Sequence, residues 1–146
     1  MNTPKKFRVW DKAKNKFINP FLFERGDYYK TTGMVLLDLN GKIRIADYSI
    51  GNGDNSASSV YSEVDNPDNY VIQQYTGCND AFGKEIYEDD IVEINNGDSI
   101  RIGYIKFMAG IFFVYYMDET DDELGYMLVS NVKVIGNLME NPELLK

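Results

Sequence analysis

The stretch from Gln73 to Gly97, QQYTGCNDAFGKEIYEDDIVEINNG, decides the fold. Gly77 to Gly83 reads as a loop, with Asn79, Asp80 and Gly83 as turn formers. Asp90-Ile91-Val92-Glu93-Ile94 is a strand pattern built on β-branched residues. Asn96-Gly97 then signals a hairpin, because both central residues of a type I′ turn need positive φ.

Moving towards the C-terminus, Ser99 to Met108 reads as the returning strand. Ala109-Gly110 turns the chain into an aromatic strand, Ile111 to Met117. The acidic run Asp118 to Glu123 reads as a hairpin tip, Tyr126 to Val129 as a return, and Lys133 to Gly136 as a last short strand. Asn141-Pro142-Glu143 opens a helical turn, with Asn as cap and Pro at the first helical position. Residues 86–136 thus hold about five candidate strands.

Moving towards the N-terminus, Tyr70 to Tyr75 alternates as a strand behind the turn chemistry of Asp65 to Asn69. Val60 to Val64 is compatible with a short helix, and Gly51 to Ser59 with an exposed loop or an inserted linker. Met34 to Leu39 and Lys42 to Ala46 flank Asn40-Gly41, a second hairpin signal. Phe21 to Phe23 fits either a strand or a helical turn. Asn19-Pro20 breaks the ladder, since proline donates no hydrogen bond. Ahead of it, Phe7 to Trp10 pairs with Lys16 to Ile18 across the turn Ala13 to Asn15.

Short strands without a helix of ten residues argue a mainly β fold. The expected architecture is an N-terminal β-hairpin region, residues 1–75, packed on a C-terminal SH3-like β-barrel or roll, residues 76–146. The composition agrees: 14% of 146 residues are aromatic, with 11 Tyr and 8 Phe, types that favour strands and interfaces.

Three runs carry a resemblance. They are KFRVWDK (Lys6 to Lys12), the Gln73–Gly97 block with its YTG, GKEIY and DIV, and VIGNLMENPELLK (Val134 to Lys146). Together they resemble the YopX family of phage and prophage proteins. The likeness covers both ends and most of the second half, and is weak from Pro20 to Asn69. It implies a fold and a phage setting, and no established biochemical activity. The turn before Ile91-Val92 also resembles the Gly-Asp-x-Val opening of many SH3-like barrels. Asp89 stands where that family usually has Gly, and Asp is among the few residues that tolerate left-handed backbone.

The chain has no His, which removes the commonest general base and transition-metal ligand. The lone Cys78 precludes an internal disulfide and suits a reducing, cytoplasmic setting. It lies beside Asn79 and Asp80, where a nearby anion disfavours the thiolate. The acidic clusters Glu88-Asp89-Asp90 and Asp118–Glu123 lack EF-hand spacing. The stretch Gly51-Asn52-Gly53 lacks the ending of a phosphate loop. No catalytic, metal or cofactor residue is assigned, and a non-enzymatic protein is expected. No run reaches the length of a membrane span.

The net charge is −8, unevenly spread. Residues 1–30 hold eight basic and three acidic side chains, a net +5, leaving −13 for the rest. The leading expectation is an interaction or self-assembly module, with an unidentified protein or a second copy as partner. The alternatives are nucleic-acid binding and an acidic DNA mimic. The candidate surface is Lys5, Lys6, Arg8, Trp10, Lys12, Lys14 and Lys16, with Phe112 and Tyr116 on the face of the aromatic strand that does not fill the barrel, either exposed or meeting the N-terminal half.

Overall fold

Alternation of buried and exposed side chains along the strands organises the chain. The computed structural model describes residues 5–18, 23–25, 31–38, 40–50, 57–63, 66–117, 121–123 and 131–146. It is mainly β, with strands β1 (Phe7–Asp11), β2 (Lys16–Phe17), β3 (Phe23–Arg25), β4 (Thr31–Leu37), β5 (Ile43–Ile50), β6 (Ala57–Glu63) and β7 (Tyr70–Asn79) in the first half. The second half adds β8 (Glu85–Tyr87), β9 (Asp90–Asn95), β10 (Ile100–Met108), β11 (Ile111–Tyr116), β12 (Asp121–Glu123) and β13 (Val132–Asn137).

Two compact units result. One combines Met1–Arg8 with Ile72–Lys146, and the other is Val9–Val71. Within the first of these, the start of the N-terminal strand lies beside the C-terminal segment: Tyr75 N donates to Lys6 O at 2.9 Å.

The larger unit holds a five-stranded antiparallel sheet in the order β12-β11-β10-β9-β13. It curls into a half-barrel, a coarser shape than the SH3-like barrel expected. Its inner face supplies Val92 and Ile94 from β9, Ile105 from β10, Val114 and Tyr116 from β11, and Val132 and Val134 from β13. Ile86 joins them, with Cys78 and Phe112 packed against the cluster. Burying each such aliphatic side chain contributes about 1.5–3 kcal/mol. Val9–Val71 carries its own antiparallel sheet, β3-β4-β5-β6, and the β1–β2 hairpin, in which Trp10 opposes Phe17. In the larger unit β7 also pairs with β8, Tyr75 opposite Tyr87.

Both Asn-Gly hairpins form, but by another route than two left-handed residues. Only the glycines are left-handed, Gly41 at φ 76° and Gly97 at φ 88°. The preceding Asx side chains hold the turns instead. Asp38 Oδ1 accepts from the amides of Asn40 and Lys42 at 2.8 and 2.9 Å, and Asn95 Oδ1 from Gly97 N at 2.9 Å. Longer connections of this kind place one glycine at the left-handed position.

Several expectations are corrected. Val60 to Glu63 gives no helix: Ala57–Glu63 is strand β6, paired with β5 from Ile50↔Ala57 to Arg44↔Glu63. Ala57 to Ser59, expected in a loop, belong to that strand, and Val64 lies outside the described residues. β7 runs on through Gly77 and Cys78 to Asn79, where a register shift against β8 absorbs left-handed Gly77. Three residues of the acidic tip are β12, paired with β11 through Tyr115↔Asp121 and Phe113↔Glu123. Charge on such an outermost strand discourages edge-to-edge pairing. The closing Pro142–Leu145 turn is a 3-10 helix whose Asn141 makes no side-chain cap. Residues 19–22, 51–56 and 126–129 lie outside the described residues. Among the described residues, no helix is long and apolar enough to cross a membrane.

Two glycines permit close approaches. A methyl at Gly103 would lie 2.7 Å from the Tyr115 carbonyl oxygen, and one at Gly136 the same distance from Leu144 Cδ1. Backbone cannot retreat, whereas a side-chain end can. Gly103→Ala should therefore cost about 2–3 kcal/mol, and Gly136→Ala clearly less, in urea denaturation midpoints.

Candidate functional site

A buried polar hub lies within the larger unit. β1 delivers Arg8, β7 delivers Gln73, the β8–β9 turn delivers Asp89 and Asp90, and β13 ends on Asn137. Gln73, Asp90 and Asn137 are all buried. The Arg8 guanidinium pairs with Asp90 Oδ1, and its Nε donates to Gln73 Oε1 at 2.8 Å. Asn137 Nδ2 donates to Gln73 Oε1 at 3.1 Å and to Asp90 Oδ1 at 3.2 Å. Gln73 Nε2 donates to Asn137 Oδ1 at 3.3 Å and to Asp89 Oδ2 at 3.1 Å. Tyr87 N donates to Asp90 Oδ2 at 2.8 Å. Each buried polar group thus has partners, as burial demands.

Asp89 is left-handed at φ 61°, which lets its N donate to Ile105 O and its carbonyl accept from Leu138 N, both at 2.9 Å. Burial pushes its carboxyl above the usual range; the amide of Gln73 and the charge of Arg8 work the other way. The Arg8 guanidinium also stacks over Tyr87, 4.4 Å from the ring centre. Burial, then the hydrogen bond to Glu85, push the Tyr87 phenol up to about 12.

The expected basic surface is largely consumed by such contacts. Lys6 pairs with Glu85 and lies over the Tyr75 ring at 5.4 Å. Lys12 Nζ donates to Asp68 O at 2.8 Å, and Lys14 Nζ is 3.6 Å from buried Asp11. Lys5 and Lys16 are exposed. Trp10 is buried, edge-on to Phe17 at 4.9 Å, so its faces are not a stacking platform. Phe112 and Tyr116 are corrected from the outward face to the inward one. Strand parity puts them with buried Val114, and Arg101 covers the Tyr116 ring at 3.5 Å.

The outward face carries different residues. Lys133, Glu93 and Ile102 stand side by side on β13, β9 and β10. Met117 follows in the same row, one step beyond the Gly103↔Tyr116 pair. The next row holds the Tyr104–Tyr115 ring pair, at 5.5 Å, with Lys106 over Tyr115 at 5.0 Å. Among the described residues, eight large apolar side chains are exposed. Five of them, Ile100, Ile102, Phe107, Ile111 and Met117, belong to β10, β11 or the residue after it.

Beside this row projects the loop between β7 and β8. Asp80 is its anchor: Oδ1 accepts from Phe82 N and Lys84 N, both at 2.9 Å, and Oδ2 from Val134 N at 3.0 Å. Burial opposes the Asp80 charge, but the amides of Val134, Lys84 and Phe82 outweigh it and hold the carboxyl below its usual range. Ala81 N donates to Val132 O at 2.9 Å. At the tip, Phe82 is 77% exposed. An open cavity of about 410 Å³ adjoins it, lined by Ala81, Phe82, Glu93, Asn95, Asn131, Val132 and Lys133. Sequence reading missed Phe82. The available signal was a large apolar residue inside turn chemistry, between Asp80 and Gly83.

The class so defined is a mainly β protein with a curled five-stranded sheet and a buried polar hub in the same unit. The family model described as YopX protein matches residues 6–146, and the chain belongs to the YopX family. It is similar to the crystal structure of protein EF1440 from Enterococcus faecalis, with 26% identity and a TM-score of 0.60 over 98% of this chain and 99% of that one. It also resembles protein yopX from Bacillus subtilis, with 22% identity and a TM-score of 0.55 over 96% and 97% of the two chains. No curated protein matches the chain.

Arg8→Met leaves Asp90 charged, buried and without its cation, and should cost about 3–5 kcal/mol in chemical denaturation. Lys6→Met, which breaks an exposed pair, should leave the denaturation midpoint nearly unchanged. Asp89→Asn keeps a residue tolerant of left-handed backbone and removes a charge that burial disfavours. Because the folded pKa of Asp89 is raised, its charged form weakens the wild type as pH rises through the acid range. The variant should be the more stable protein at neutral pH, with the gap closing on acidification in pH-resolved thermal melts.

Proposed function

We propose that the chain is a non-enzymatic protein-interaction module of phage or prophage kind, binding through the outward face of its five-stranded sheet. The observation that supports it is the concentration of exposed Ile100, Ile102, Ile111 and Met117 on that face; exposed Phe107, paired with Phe112, lies on the other. Exposed apolar surface gathered in one place, with polar groups around it, is the common mark of a protein-binding surface. The buried carboxylates favour this reading over chemistry. Asp80 is spent on three backbone amides and Asp90 on Arg8, Asn137 and Tyr87.

Nucleic-acid binding draws less support, since Lys6, Arg8, Lys12 and Lys14 have intramolecular partners and Trp10 is buried. The discriminating experiment is an affinity pull-down from lysate of the native host, with and without nuclease. The expected result is a stoichiometric protein band that survives nuclease and disappears for the double variant Ile102→Lys, Met117→Lys. Recovery of nucleic acid, with every band lost on nuclease treatment, would overturn the interaction reading.

A further inference from the structure

The Phe82 loop combines two properties that stability alone does not explain. Its backbone is fixed by the three amide bonds to Asp80, by Asp80 N donating to Lys84 O at 2.8 Å and by Asn79 Nδ2 donating to Gly83 O at 3.2 Å. Yet this rigid loop presents a phenyl ring that is 77% exposed. A rigid aromatic in water is costly to keep, and a preorganised aromatic is what a binding anchor requires, because little ordering entropy remains to be lost.

The cavity beside it identifies the partner. Knob and hollow share one patch, since Phe82 itself lines the cavity together with Glu93, Asn95 and Lys133. Glu93 and Lys133 are direct cross-strand neighbours, and among the described residues neither belongs to an ion pair. A patch that holds a projection, a hollow, one anion and one cation is complementary to itself under a two-fold axis. The whole chain carries −8, so two copies repel at long range. The row around Phe82 is a place where opposite charges stand together and that repulsion is relieved. The row continues through exposed Ile102 to Met117, which adds apolar side chains beside the charged pair.

We propose that two copies of this chain pair through the Phe82 loops, each Phe82 seated in the other's cavity and each Glu93 facing the other's Lys133. This rests on the interaction reading above and names a partner for it. Phe82 and Lys133 are exposed and Glu93 is half-buried, so each can be changed with little effect on folding.

Sedimentation velocity over a micromolar to high-micromolar series tests the pairing. The wild type should show a concentration-dependent dimer. Phe82→Ser should weaken it at least about tenfold, with an unchanged melting transition. Glu93→Lys and Lys133→Glu should each be weakened alone, because each places like charges across the axis. An equimolar mixture of those two variants should dimerise again, since it restores both opposite-charge pairs only between copies. A monomer at every concentration, a dimer indifferent to Phe82→Ser, or a mixture no tighter than its components would overturn the proposal. If self-pairing fails while the lysate band still depends on Ile102 and Met117, only the choice of partner falls and the interaction reading stands.

Discussion

The ion pair between Arg8 and Asp90 is the constraint around which the larger unit is arranged. Asp90 is almost fully buried and Arg8 mostly so. A carboxylate in that position is tolerable only with a cation and further donors. Asn137 and the Tyr87 amide supply the donors. Gln73 then holds Arg8 and Asn137 in register. Four chain segments separated by up to about 130 residues meet at this point, and each brings a polar group that would be costly if left alone. Such a network fixes one arrangement of strands, because any slip in register orphans several groups at once.

This gives the family resemblance a physical meaning. The runs KFRVWDK, QQYTG, EDDIV and IGN are the segments that carry Arg8, Gln73, Asp89 with Asp90, and Asn137. Gly136 and the ENPELL run extend the same logic. Bare Gly136 lets Asn141 and Leu144 approach, while Asn137 O accepts from Glu140 N and Asn141 N. The motifs are therefore scaffold, and the exposed residues offered for interaction, Phe82, Ile102 and Met117, lie outside or between them.

What could be read from sequence follows from the range of the interactions involved. β9, β10 and β11 were legible because alternation and the Gly97 and Gly110 turns are local signals. The tolerance of Asp89 for left-handed backbone was legible for the same reason. The inward side of β11 was not, because Phe112, Val114 and Tyr116 against Ile111, Phe113 and Tyr115 are equally apolar, and only pairing with Ile105 on β10 decides between them. β12 was missed because Asp121 to Glu123 has poor strand propensity and forms by pairing with β11. Arg8 read as a surface charge because its partner, Asp90, is 82 residues away. Phe82 was passed over because exposure is a property of the folded loop.

The most direct measurement is native-state hydrogen exchange on the amides the hub organises: Tyr75, Tyr87, Asp89 and Leu138. If the hub locks the strands together, these amides exchange only through global unfolding, at the free energy shown by the core amides of Ile94 and Ile105. Exchange of Tyr87 and Leu138 through a low-energy local opening, with the core still protected, would show that the Arg8–Asp90 network is peripheral to the fold and would contradict its central place.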